Sequence, residues 1–214
     1  MNTVTNKIKK RYNRISGLYD IMEAPMEHGF SKWRKRLLKK VKGKTLEVGI
    51  GTGKNIPYYP ERVELTAIDF SEKMIEKAGK KAKDKPNISL YVMDIENMDF
   101  ENNTFDTVVS SCVFCSVPDP IRGLKEIGRV CKNKGKILML EHVRSNKRIT
   151  GKIMDILNPI PVNTYGANIN RKTHENIIKA GFNPDNIHVD YLWKDIVLLI
   201  EIKNEKNNKQ FNHG

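Results

Sequence analysis

Leu46-Glu47-Val48-Gly49-Ile50-Gly51-Thr52-Gly53 is a short apolar run that stops in three glycines at alternate positions. Thr45 to Val48 has the character of a central parallel strand, buried on both faces. Glycine tolerates backbone angles and close approaches that a side chain blocks, so the stretch reads as a strand ending in a ligand loop. The dinucleotide fingerprint also begins Gly-x-Gly after a strand, but its third glycine stands three residues after the second. Here Lys54 holds that position and the third glycine is Gly53. Glu47 precedes the first glycine by two residues. Alone, the loop leaves room for the lesser alternative of a tight turn that binds nothing, and the other strand ends have to decide.

Toward the carboxyl terminus, the prolines of Asn55-Ile56-Pro57-Tyr58-Tyr59-Pro60 leave room only for a short or broken helix. Glu64 to Ile68 is a second strand closing on Asp69, with Ser71 as N-cap of a lysine-rich helix to about Lys83. An acid at the end of a second strand suits a ribose, whose two hydroxyls a carboxylate accepts together; a solvated aspartate is the competing reading. Ile88 to Met93 is a third strand, ending in Asp94-Ile95-Glu96. Phe105 to Ser110 is a fourth, leading into Ser111-Cys112-Val113-Phe114-Cys115 and a helix from Pro120 to about Cys131; Lys136 to His142 is a fifth. Strands separated by helical segments imply a parallel sheet with right-handed crossovers. From Val143 to Asn170 the pattern loosens, a helix follows over Arg171 to Ala180, and Asn186 to Leu192 with Ile196 to Ile202 forms an antiparallel hairpin.

Ahead of the glycine stretch, Thr5 to about Val41 is helical in period, with a break expected near Ala24-Pro25. Ile8, Tyr12, Ile15 and Tyr19 share one face of the first half; Phe30, Trp33, Leu37, Leu38 and Val41 share one face of the second. Lys32, Arg34, Lys35, Arg36, Lys39, Lys40 and Lys42 fall between the latter as a basic face. Residues 1–42 are read as a basic helical lid, 43–203 as the main domain with a substrate insertion at 143–170, and 204–214 as a polar tail.

Net charge is +13, with 13 lysines or arginines against three acids between Lys7 and Lys44. Such a segment suits anionic lipid, nucleic-acid phosphates, or plain solvation of a helix face. Three cysteines, an odd number, argue against a disulfide framework, and Cys112-x-x-Cys115 lacks the second pair that a zinc site needs, so no metal is expected. No apolar run reaches bilayer length, and no apolar segment follows the amino-terminal lysines, so a cytoplasmic location is expected.

Glu47-x-Gly49-x-Gly51-x-Gly53, Asp69 and Asp94 stand at the ends of three successive strands, before a terminal hairpin. This arrangement resembles the class I S-adenosylmethionine-dependent methyltransferases over nearly the whole chain. The resemblance implies an α/β fold: a Rossmann-like, seven-stranded, mostly parallel sheet with helices on both faces and a terminal antiparallel hairpin. It implies S-adenosylmethionine as cofactor, with Glu47, Gly49, Gly51 and Gly53 at the methionine part, Asp69 at the ribose and Asp94 at the adenine amine. Phe70 and Ile95 would sandwich the adenine, and Ser110 would complete the fourth strand end.

Arg11-Tyr12-Asn13-Arg14-Ile15-Ser16-Gly17-Leu18-Tyr19-Asp20 is similar to the lid of the ubiquinone and menaquinone C-methyltransferases and of the soluble bacterial phosphatidylethanolamine N-methyltransferases. Asn55 to Tyr59, Phe105 to Val109 and Val117 to Pro120 favour the latter. Cys115-Ser116-Val117 and Leu140-Glu141-His142-Val143 resemble the alkyl-thiol methyltransferases. The acceptor is thereby a lipid amine, a thiol or a quinone ring, with Tyr19, Cys115, Phe114 and His142 as candidates to position it. His142 either takes a proton from the acceptor or is structural. Enzymes acting on base amines carry Asn or Asp, two prolines and an aromatic where this chain has Ser111 to Cys115, which argues against nucleic acid. With Phe30 and Trp33, the basic amino terminus suits peripheral contact with an anionic membrane better than RNA. The alternatives are a nucleotide-cofactor oxidoreductase and an RNA-directed methyltransferase.

Overall fold

Thr45, Leu46, Glu47 and Val48 are all withdrawn from solvent, which requires β1 (Lys44–Val48) to have a neighbour on each edge and a layer on each face. A computed structural model, describing residues 3–164 and 166–206 but no side chains at 3, 18–20, 22–23, 25–26 and 28, shows how both are met. β1 pairs in parallel with β2 (Glu64–Asp69) on one side and β4 (Phe105–Ser111) on the other. β3 (Ile88–Val92) lies outside β2, and β5 (Cys131–His142) outside β4, both parallel. β6 (Ile187–Trp193) and β7 (Val197–Asn204) form the antiparallel hairpin, giving the order β3-β2-β1-β4-β5-β7-β6. The sheet is the seven-stranded, mostly parallel one expected, and its order reverses between β2-β1 and β4, where the crevice at the strands' carboxyl ends forms.

Successive residues on a strand point to opposite faces, so Val108 and Val109 of β4 belong to different cores. On one face Leu46, Val48, Val108 and Ile200 pack with Leu124 and Ile127 of α3 (Pro120–Val130) and Ile177 of α6 (Thr173–Lys179). On the other, Val109, Leu138 and Leu199 pack with Leu37 and Leu38 of α1 (Thr3–Leu38) and Ala78 of α2 (Glu72–Ala82). Ser71 caps α2 as expected, accepting from the Met74 amide at 3.2 Å.

Three expectations need correction. α1 is one helix of 36 residues, with no break at Ala24-Pro25. A proline inside a helix forgoes one backbone hydrogen bond, and both flanking halves have their own anchors. Tyr12 bonds Ser116 at 2.5 Å in the first half, and Leu37 and Leu38 are sealed in the core in the second. Next, the basic face of the second half is open only in part: Lys32, Lys35, Lys39 and Lys42 are exposed, but Arg34 is 6% exposed, Lys40 pairs with Glu201, Arg36 pairs with Asp190, and Trp33 packs toward the core. The loosened stretch, finally, contains α4 (Arg148–Leu157) and α5 (Pro159–Thr164). Among the described residues no helix is long and apolar enough to cross a membrane, and none form a cluster able to hold a metal ion.

Asn204, read as the first residue of the tail, instead ends β7, and residues 207–214 lie outside the described residues. Its buried Nδ2 lies within hydrogen-bonding distance of the carbonyls of Gly128, Cys131 and Lys132, at 3.0, 3.0 and 3.2 Å. It therefore closes the junction from α3 into β5. Asn204→Ala leaves buried carbonyls without a donor, and we expect a loss of about 2 kcal/mol in urea unfolding; an unchanged midpoint would show that the junction holds without it.

Candidate functional site

The glycines of the opening stretch do different work. All three have positive φ, at +65° for Gly49, +56° for Gly51 and +78° for Gly53. A Cβ on Gly49 would stand 2.5 Å from Val113 Cγ2, and one on Gly53 2.7 Å from Ile56 Cδ1 and 3.1 Å from the Ala78 backbone. These two allow the loop to pack. A Cβ on Gly51 would meet nothing within 4 Å, because Gly51 faces a cavity of about 300 Å³ at the carboxyl ends of β1, β2, β4 and β5. The 3-10 turn Ile56–Tyr58 is all that the prolines after the loop leave of a helix.

Most of the expected site residues meet in this cavity. Glu47, Gly49, Gly51, Asp69, Phe70, Asp94 and Ile95 line one side, and Cys115 and His142 line it further along. Gly53 and Ser110 do not: Ser110 is fully buried and its hydroxyl donates to Glu141 at 2.7 Å, while Ser111 takes the place at the wall. Phe114 is buried in the core, and the Tyr19 side chain lies outside the described residues. Residues 167–169 of the insertion line the far side, where Asn168 donates twice to the Cys115 carbonyl, at 2.8 and 3.1 Å. α1 covers the top through Tyr12, whose ring meets Phe70 edge-on at 5.6 Å, and through Arg34.

Asp69 accepts from the Gly51 amide and the Ser71 amide, both at 2.9 Å, which ties the glycine loop to the end of β2. Burial nevertheless pushes its carboxyl up to about 6, against the pull of these amides. Beneath it lies a chain of buried polar groups. Asn55 donates to Glu47 Oε1 at 2.6 Å and to Ser111 at 3.0 Å, and accepts from Arg34 Nη1 at 2.9 Å. Glu27 pairs with both Arg34 and Lys54 at 3.3 Å. Burial pushes Glu47 up to about 7, although Asn55 and the Arg34 charge lower it.

Glu47 Oε2 is enclosed without a hydrogen-bond partner, and Arg34 Nε, also without one, keeps the ion pair with Glu27 at 3.3 Å. A buried acceptor left unpaired costs free energy that a bound donor recovers. A ligand with an ammonium, as in the tail of an amino acid, answers Glu47, and its carboxylate suits the Arg34 guanidinium. Among the described lining residues, Glu27, Glu47, Asp69 and Asp94 outnumber Arg34 and Lys54 although the protein is strongly basic. That balance favours a cationic ligand and disfavours a pyrophosphate.

The sequence puts Arg34 on the basic face of α1 and Asn55 in a proline-broken stretch, and marks neither as a site residue. Arg34 sits at i+4 from Phe30 and three before Leu37, so an arginine on the apolar stripe was the available signal. Asn55 sits in what looked like a plain turn and carries no local signal. Glu141, fully buried, accepts from Ser110 and, at 3.3 Å, from the Val113 amide, and so holds the loop that carries Cys112 and Cys115 against the cavity. Burial pushes its carboxyl up to about 7.

Residues 46–139, a little under half of the chain, match a family model described as a methyltransferase domain. Among curated relatives, a phosphatidylethanolamine N-methyltransferase of Cereibacter sphaeroides is 40% identical over 108 residues, covering 49% of this chain and 53% of that protein. A demethylmenaquinone methyltransferase of Thermotoga maritima is 34% identical over 151 residues, covering 66% and 65%. The chain thus spans between about half and two thirds of the length of these relatives. A SAM-dependent methyltransferase of Thermotoga maritima shares the fold, with a TM-score of 0.71 at 19% identity over 92% of this chain and 99% of that one.

The buried carboxyl of Glu47 has a pH signature. Glu47 binds its proton more tightly folded than unfolded, so its contribution to stability is full below about 4.5 and is lost as pH rises through about 7. Glu47→Gln removes that loss while Asp69 and Glu141 titrate in both proteins. We expect the variant's melting temperature to gain on the wild type between pH 5.5 and 8.5, measured by calorimetry without ligand; parallel curves would show that Glu47 ionises in the folded chain as readily as in the unfolded one.

Proposed function

We propose that the chain is an S-adenosylmethionine-dependent methyltransferase acting on a small or lipid-like acceptor of the lipid amine, thiol or quinone type. The observation that carries this reading is a single cavity with Glu47, Asp69 and Asp94 along one side and Cys115, His142 and Ala167 to Ile169 along the other. One side offers carboxylates for an ammonium, a ribose and an adenine amine; Arg34 offers a guanidinium for the carboxylate end. When bound, S-adenosylmethionine supplies a methyl group on a sulfonium, a displacement that depends on alignment more than on acid–base help. Phe70 and Ile95 present apolar surface beside Asp94, and Tyr12, packed on Phe70 and bonded to Ser116, lets α1 act as a lid that excludes water.

Burial lowers the pKa of His142, so its imidazole is neutral at pH 7 and able to take a proton from an acceptor. The relatives named for phosphatidylethanolamine and demethylmenaquinone support amine and quinone-type acceptors. The carboxylate-rich lining weighs against the oxidoreductase reading.

A labelled-methyl assay across phospholipid amines, thiols and quinols tests the reading, and transfer to none of them would contradict it. For the active acceptor, His142→Ala is expected to lower turnover on the order of 100-fold while S-adenosylhomocysteine affinity stays within about twofold. Unchanged turnover would remove His142 as the base.

A further inference from the structure

The insertion that closes the far side of the cavity turns an apolar face outward. α4 uses one side to pack: Met154 is buried with its sulfur accepting from the Ser145 amide at 3.4 Å, and a Cβ on Gly151 would stand 2.6 Å from the Ser145 carbonyl. Its other side carries Ile149, Ile153 and Ile156 at helical spacing, continued by Ile160 on α5. Ile149 and Ile156 are each 75% exposed, and Ile160 63%. Of the twelve large hydrophobic side chains exposed among the described residues, five lie between positions 149 and 160. Isolated exposed hydrophobics need no explanation, but a cluster on one helical face marks an interaction surface.

The charges around this face identify what it meets. Lys147, Arg148 and Lys152 are exposed at its amino-terminal end, and none pairs with a carboxylate among the described residues. Asp155, the sole acid between positions 147 and 164, is held by Arg144 at 2.8 Å. Beside α5, Arg11 of α1 donates to the Val162 carbonyl at 2.6 Å, and α1 further exposes Lys7, Lys10 and Arg14. An isoleucine stripe flanked by uncompensated cations fits an interface that is apolar in depth and anionic at its surface. A nucleic acid would leave the isoleucines unmatched, and a second copy of the chain would bring the same cations together.

We propose that the outward face of α4 and α5 docks on an anionic phospholipid bilayer, the isoleucines entering between headgroups and Lys147, Arg148 and Lys152 meeting lipid phosphates. This face, unlike the second half of α1, whose Trp33 packs toward the core, joins exposed apolar side chains to exposed cations. It also gives the proposed methyl transfer a route for its acceptor, and in that respect rests on it. Asn158, between α4 and α5, accepts from the Ile169 amide at 2.8 Å and donates to Asn168 at 3.2 Å, and both of these residues line the cavity. One layer of residues separates the docking face from the acceptor end.

The test is sedimentation of the full chain with vesicles of phosphatidylglycerol and phosphatidylcholine, or of phosphatidylcholine alone, at low salt. The wild type is expected to bind the anionic vesicles, and a variant with Ile149→Ser, Ile153→Ser and Ile156→Ser to bind them at least tenfold more weakly. A variant with Lys147→Gln, Arg148→Gln and Lys152→Gln is expected to lose the preference for anionic lipid. Both should bind S-adenosylhomocysteine like the wild type, since neither set touches the cavity. Undiminished vesicle binding by the isoleucine variant overturns the proposal, as does a wild-type dimer that this variant disperses without either protein binding vesicles. Vesicle binding without any methyl transfer would strike the proposed activity and leave the docking face standing.

Discussion

Glu47 is a carboxyl at the end of the central strand, sealed from water on both faces of the sheet, and its surroundings have to compensate for that burial. Asn55 supplies one hydrogen bond from the loop that follows the glycines, and Arg34, arriving from α1, supplies positive charge through Asn55. One buried chain therefore joins the central strand, the glycine loop and the covering helix, three parts of the sequence that are otherwise independent. It remains incomplete, since Glu47 Oε2 has no hydrogen-bond partner and Arg34 Nε keeps only its ion pair with Glu27. A protein that keeps such a deficit at the base of a cavity gains stability when a complementary ligand enters.

The remainder of the site is arranged around that base by the sheet. Parallel pairing brings the ends of β1 and β2 together, and Asp69 then bonds the Gly51 amide. Glu141 performs the corresponding task between β4 and β5, holding the loop that carries Cys112 and Cys115. α1 and the insertion approach from opposite sides and meet where Arg11 reaches the Val162 carbonyl. The cofactor side is thus built on strand ends and the acceptor side on helices attached to them. That division matches a shared cofactor chemistry joined to acceptors that vary among relatives.

The strands were legible in the sequence because each is a short apolar run with a turn signal and, at three ends, an acid. Asp69 and Asp94 fall at the cavity as their position after a strand requires. Ser110 was misplaced by one residue, and in a strand one residue turns a side chain to the other face; Ser111 is the one at the cavity wall. The break at Pro25 was over-read because tertiary anchors on both halves of α1 outweigh one missing hydrogen bond. Asn55 was invisible because its role exists only in three dimensions, where Glu47, Ser111 and Arg34 converge on it. The outward face of α4 was hidden by the same periodicity that marks a buried helix, since spacing shows that an apolar face exists but not which way it points.

The most direct measurement of whether the Glu47–Asn55–Arg34 chain recognises an amino-acid tail is a calorimetric comparison of S-adenosylhomocysteine with 5′-methylthioadenosine, which keeps the nucleoside and lacks the ammonium and carboxylate. Two charge-assisted interactions of about 1.5–3 kcal/mol each correspond to at least 100-fold. We expect the nucleoside to bind weaker by at least that factor; equal affinity for the two ligands would contradict the role assigned to these residues.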